Sequence, residues 1–67
     1  MTREIIEKLP ENVQDRIAGL KKQFKACTDY HRRYEMRERI AGYVDGLRDA
    51  GIVTEVERRI VYIYATL

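Results

Sequence analysis

A chain of 67 residues, 45% apolar and 36% charged, with four glycines, one proline and a formal net charge of +2, excludes a disordered or collagen-like segment and describes one small folded unit. A unit of this size buries only about 60% of the surface its unfolded form exposes, so its core is marginal and self-association belongs to the expectation. The opening stretch MTREIIEKLPEN has neither an apolar leader core nor a small-residue cleavage site, and no apolar run approaches the roughly 18 residues that span a bilayer. A cytoplasmic location without membrane contact is expected. Cys27 is the single cysteine, which suits a reducing compartment and leaves no internal disulfide.

Thr2 is a capping residue for a short first helix over about residues 2–9. Pro10 suits the first turn of a second helix over 11–26, where its missing N–H costs nothing. Along that helix Val13, Ile17, Leu20, Phe24 and Cys27 recur at steps of four, three, four and three, which lays one apolar stripe on it. A third helix is predicted over 29–50, capped by Thr28 or Asp29, with Met36, Ile40, Tyr43, Val44 and Leu47 facing inward. Gly51 suits the left-handed residue that closes it, and Ile52 is the apolar residue expected to pack back on the last turn. The joint FKACTDYHRR contains no Gly or Pro, so one bent or continuous helix from 11 to 50 is the alternative there.

The C-terminal run GIVTEVERRIVYIYATL admits two readings. By propensity alone, Arg59 to Thr66 is β-branched and aromatic and would serve as the last strand of a winged helix. Thr54 is followed three residues later by Glu57, however, which is a capping box, and residues 53–58 hold no Gly, Asn, Asp or Pro to turn a hairpin. A fourth helix over 54–66 then carries the apolar series Val56, Ile60, Ile63, Tyr64 and Leu67, with Ile60 and Ile63 facing the stripe of the second helix and Leu67 left with little behind it. The predicted fold is all-α: a small three-helix bundle with a short extra N-terminal helix, neighbours antiparallel because the connections are short.

Charge is unevenly spread. Residues 1–20 and residues 40–67 each carry three basic and four acidic groups, whereas residues 21–39 carry seven basic against three acidic, a net +4, with Tyr30, His31 and Tyr34 interleaved. A hairpin would gather these charges at one end. Lys21, Lys22, Lys25, Arg32, Arg33 and Arg37 are therefore candidate contacts for nucleic acid or an acidic partner, cations meeting phosphate while tyrosine stacks on exposed bases. The plainer reading is a solvated face. Arg32 and Arg33 fall in the first turn of a helix, where cations oppose the dipole, and that small cost points toward use. Helix-turn-helix recognition fits less well, because an apolar position of the recognition helix falls on Glu57 and Glu55 stands on the outward face.

Five tyrosines exceed what a three-helix core absorbs. Tyr30, Tyr34, Tyr62 and Leu67 form the candidate protein interface, and a homodimer is the expected assembly. Cys27 and His31 lie four apart but have no second pair to complete a tetrahedral metal site. The series Glu4, Glu7, Glu11 and Asp15 reads as a solvated face rather than acid–base machinery. Gly42 and Gly46, four apart in a helix, offer a smooth strip on which another helix packs. No nucleophile motif, phosphate-cradling loop or cofactor signature occurs, so the chain reads as non-enzymatic, without catalytic, cofactor or metal residues and without an evident small-molecule substrate.

The run IAGYVDGLRDAGIVTEVERRIVYIYATL, residues 40–67, with its Gly-Leu-Arg-Asp-Ala-Gly, Ile-Val-Thr and Glu-Arg-Arg elements, resembles the C-terminal part of small, uncharacterised helical proteins encoded on bacterial conjugative and other mobile elements. The resemblance implies a bacterial cytosolic accessory protein and no particular activity. The sequence thus reads as a small helical interaction protein acting by self-association or partner binding. The alternative is a nucleic-acid-binding accessory protein that uses residues 21–39.

Overall fold

A computed structural model of the chain describes residues 1–67 and consists of four helices: α1, Thr2–Glu7; α2, Glu11–Ala26; α3, Tyr30–Asp49; and α4, Glu55–Ala65. No strand is present, and the fold is the small all-α bundle with a short N-terminal helix that the periodicity predicts. The winged-helix reading of residues 59–66 is thereby set aside.

Local chemistry explains each boundary. Met1 is the N-cap of α1 and makes no side-chain cap bond, so Thr2 lies inside the helix instead of capping it. Pro10 is the N-cap of α2, not a first-turn residue, and its carbonyl accepts from the Val13 and Gln14 amides at 2.9 and 3.0 Å. Gln14 braces this joint by donating from Nε2 to the carbonyls of Leu9 at 2.8 Å and Glu7 at 3.2 Å. Between α2 and α3 the chain turns: Cys27 is extended, and the Asp29 carboxylate accepts from the His31 amide at 3.2 Å. That local bond offers the backbone an alternative to continuing the helix, so the pair is a hairpin and not one long helix.

The α3–α4 joint is the most closely specified. Gly51 adopts φ +76°, its amide donates to the Arg48 carbonyl, and the Ile52 amide donates to the Leu47 carbonyl, both at 2.9 Å. This pair of bonds satisfies two orphan carbonyls through a left-handed residue that glycine enters without strain. Val53, 5% exposed, packs back on the helix, while Ile52 is 40% exposed, a shift of one residue from expectation. The Thr54–Glu57 capping box is formed in both directions, the Thr54 amide reaching Glu57 Oε1 at 2.8 Å and the Glu57 amide reaching Thr54 Oγ1 at 3.1 Å.

The core takes Val13, Ile17, Leu20 and Phe24 from α2, Met36, Ile40, Val44 and Leu47 from α3, Val61 and Ala65 from α4, and Leu9 and Val53 from the joints. For α2 and α3 these are the predicted faces, with Cys27 and Tyr43 half-buried at the edge. For α4 the face is different. Val56 and Ile63, expected inside, are 65% and 57% exposed, Ile60 and Tyr64 are only half-buried, and the candidate interface residue Leu67 is 69% exposed, as expected. The physical reason lies in what fixes the rotation of the helix. Val53 is buried beneath the end of α3, and Arg58 of α4 pairs with Asp45 of α3 at 3.5 Å; with these two points fixed, Val61 and Ala65, four apart, are the α4 residues that are buried. Small Val61 and Ala65 also allow α4 to approach its neighbours closely, and α4 packs against all three other helices. Gly42 and Gly46 are exposed, with nothing within 4 Å of where a Cβ would stand, so no helix of this chain uses their strip.

Candidate functional site

Two surfaces stand out, one at the α2–α3 tip and one on α4. At the tip the six predicted cations divide into two groups. Lys21, at the level where α4 ends, donates from Nζ to the Tyr64 carbonyl at 2.7 Å and lies 4.4 Å from the Tyr64 ring centre. A lysine on a C-terminal carbonyl complements the negative end of the helix dipole. Arg33 and Arg37 lie over the Phe24 ring at 4.8 and 5.3 Å, and their stems help bring Phe24 to 0% exposure. These three residues therefore have a packing role that the charge count did not reveal. Lys22, Lys25 and Arg32 are exposed.

The ion pairs of the molecule lie elsewhere. Glu55 accepts from Arg58 at 2.7 Å, Arg48 at 2.8 Å and Arg59 at 3.3 Å, and Asp45 and Asp49 complete a network across the α3–α4 joint. The remaining pair is Arg3–Glu7 in α1. None of the seven basic residues from Lys21 to Arg39 takes part in an ion pair, and Arg33 Nε is buried with no acceptor. Positive charge at the tip is thus left without internal compensation.

Hydrogen bonds from Arg58 and then Arg48 hold the Glu55 carboxyl well below its ordinary 4.5. A carboxyl depressed in the folded state contributes stability above its unfolded pKa, and that contribution is lost as pH falls below it. Melting temperature is therefore expected to stay level from neutral pH to about 5 and then to drop, with Glu55→Gln showing a shallower acid limb than the parent in circular-dichroism melts. Because the network is solvent-exposed, the effect should be modest. An acid limb identical in parent and variant would contradict it.

Tyrosine placement also departs in part from the sequence reading. Tyr30 and Tyr34 are 75% and 57% exposed at the tip, as expected. Tyr62, expected on the outer face, is half-buried against the core together with Tyr43 and Tyr64. The Tyr43 hydroxyl is pushed above its ordinary 10.0 by burial, with the Arg16 guanidinium acting in the opposite sense.

The surface that periodicity misassigned is the more apolar of the two. Within α4, Val56, Ile60 and Ile63 follow at steps of four and three, which aligns them along one side of the helix, with Ile52 before it and Leu67 after it, both exposed. Four of the five are large apolar residues in solvent. An exposed apolar patch on a monomer is often functional. The signal for this face was present in the sequence: α4 carries a second apolar series, Val53, Val61 and Ala65, and only one series can point inward.

The fold and its surfaces define a small all-α bundle. No protein-family model, curated protein or solved structure matches the chain.

Proposed function

We propose that this is a non-enzymatic helical interaction protein that self-associates through the outer face of α4, working in the cytosol as an accessory protein of the mobile-element kind that residues 40–67 resemble. One observation carries the reading: the apolar stripe Val56, Ile60, Ile63 and Leu67 lies on the solvent side of α4 while a different series fills the core. A second copy is the occupant best suited to it. Glu55 and Arg59, next to the stripe in sequence, already pair with each other at 3.3 Å, so a two-fold contact between stripes brings no unpaired charge from these two groups. A stripe along one helix of 11 residues is small beside the roughly 800 Å² that each partner contributes to a standard interface, which sets the expectation of a weak, micromolar dimer rather than an obligate one. The half-buried thiol of Cys27 accords with a reducing compartment.

Amide chemical shifts recorded from high to low micromolar concentration test the face as well as the event. Val56, Ile60 and Ile63 should shift with dilution while Lys22, Thr28 and Gly42 stay fixed. Dilution shifts confined to residues outside α4 would refute the reading, as would none at all.

A further inference from the structure

A second surface lies on the α2–α3 hairpin beyond the reach of α4. Helix α4 has 11 residues against 16 in α2 and 20 in α3, so at 1.5 Å per residue it covers only part of the hairpin. Its final turn meets α2 at Lys21 and its first turn meets α3 at Asp45 and Arg48. Counting back along α3 from Arg48 and Asp45 by threes and fours gives Ala41, Arg37, Tyr34 and Tyr30 on that same side, and one turn on from Lys21 along α2 comes Lys25. Beyond α4, the two helices of the hairpin therefore share a ledge. Its floor is Phe24 under the Arg33 and Arg37 guanidiniums, Lys21 and Lys25 line one wall, and Tyr30 and Tyr34 stand exposed on the other. Glu35 falls on the back of α3 by the same spacing, Glu38 stands beside Tyr34 and Ala41 at the edge of the ledge, and Asp29 is engaged by the His31 amide.

We propose that this ledge binds single-stranded nucleic acid, its four cations neutralising successive phosphates while Tyr30 and Tyr34 stack on unpaired bases. Arg37 is exposed beside the Phe24 ring, and a guanidinium matches a phosphate. None of the four cations is held by a carboxylate, and Lys21 has the Tyr64 carbonyl as its one hydrogen-bond partner. The exposed tyrosines select the strandedness, because only unpaired bases offer a π-face for stacking.

Fluorescence anisotropy with a labelled oligothymidylate about a dozen nucleotides long, at low salt, tests the assignment. Affinity should fall with salt at a log–log slope of about −3, the value for four phosphates on a single strand. Lys25→Gln, at a residue with no hydrogen bond or ion pair to lose, should reduce that slope by about 0.7 with helix content unchanged. Tyr34→Ala should weaken oligothymidylate binding at least about fivefold yet leave inorganic polyphosphate, which has charge and no bases, unaffected. No binding at low salt would overturn the proposal. So would equal affinity for a duplex of the same length or for polyglutamate, or a Tyr34→Ala variant that binds oligothymidylate as well as the parent.

Discussion

Truncating Leu20 to alanine is expected to leave a large fraction of the protein unfolded at room temperature. Leu20 is 1% exposed at the centre of α2, and deleting a buried leucine side chain costs about 2–5 kcal/mol in lost transfer energy and residual cavity. At ordinary per-residue stability a chain of 67 residues holds about 3–10 kcal/mol in all, so the substitution removes much of it. Ile63→Ala deletes a comparable apolar volume on α4. Because Ile63 is 57% exposed, that variant in dilute solution should unfold at nearly the parent's denaturant concentration, with half-buried Ile60→Ala between the two. Urea titrations of the three variants side by side check the rotation of α4 directly: an Ile63→Ala loss as large as that of Leu20→Ala would mean that the stripe faces the core after all.

Replacing Ile63 with glutamate is expected to weaken self-association at least about a hundredfold. A two-fold contact uses each residue twice. Burying one isoleucine is worth about 1.5–3 kcal/mol and two about 3–6 kcal/mol, where each 1.4 kcal/mol is a factor of ten in affinity. A carboxylate brought into an apolar contact without a partner adds a desolvation cost in the same direction. The isolated fold should survive, since position 63 points to solvent and glutamate is a good helix former. Helix content unchanged and association lost in light scattering is the predicted pair of results. Association unchanged would move the interface away from α4, with the open Gly42–Gly46 strip the next surface to test.

How far the sequence announces this structure differs from helix to helix, for physical reasons. In α2 and α3 each helix has one apolar side, so Val13, Ile17, Leu20 and Phe24, like Met36, Ile40, Val44 and Leu47, can only point one way, and periodicity finds them. Terminal signals with a local hydrogen-bonding mechanism are equally readable: Gly51 closes α3, and Thr54 with Glu57 opens α4. Helix α4 is apolar on two sides, and a period of 3.6 residues cannot choose between them. Its rotation depends on the burial of Val53 and on the Arg58–Asp45 pair, both long-range facts. The tip divides in the same way. Its excess of charge and its exposed Tyr30 and Tyr34 follow from the sequence pattern, but the engagement of Arg33 and Arg37 by Phe24 depends on how α2 and α3 close on each other, and that of Lys21 by Tyr64 on where α4 ends against them.

The exposed α4 stripe makes self-association the property most worth measuring, and sedimentation equilibrium across a hundredfold range of concentration measures it without labels or variants. The predicted result is a weight-average mass that rises reversibly from 8.0 kDa toward twice that value through the micromolar range, with little dependence on salt because the contact is apolar. A mass that stays at 8.0 kDa throughout would contradict it.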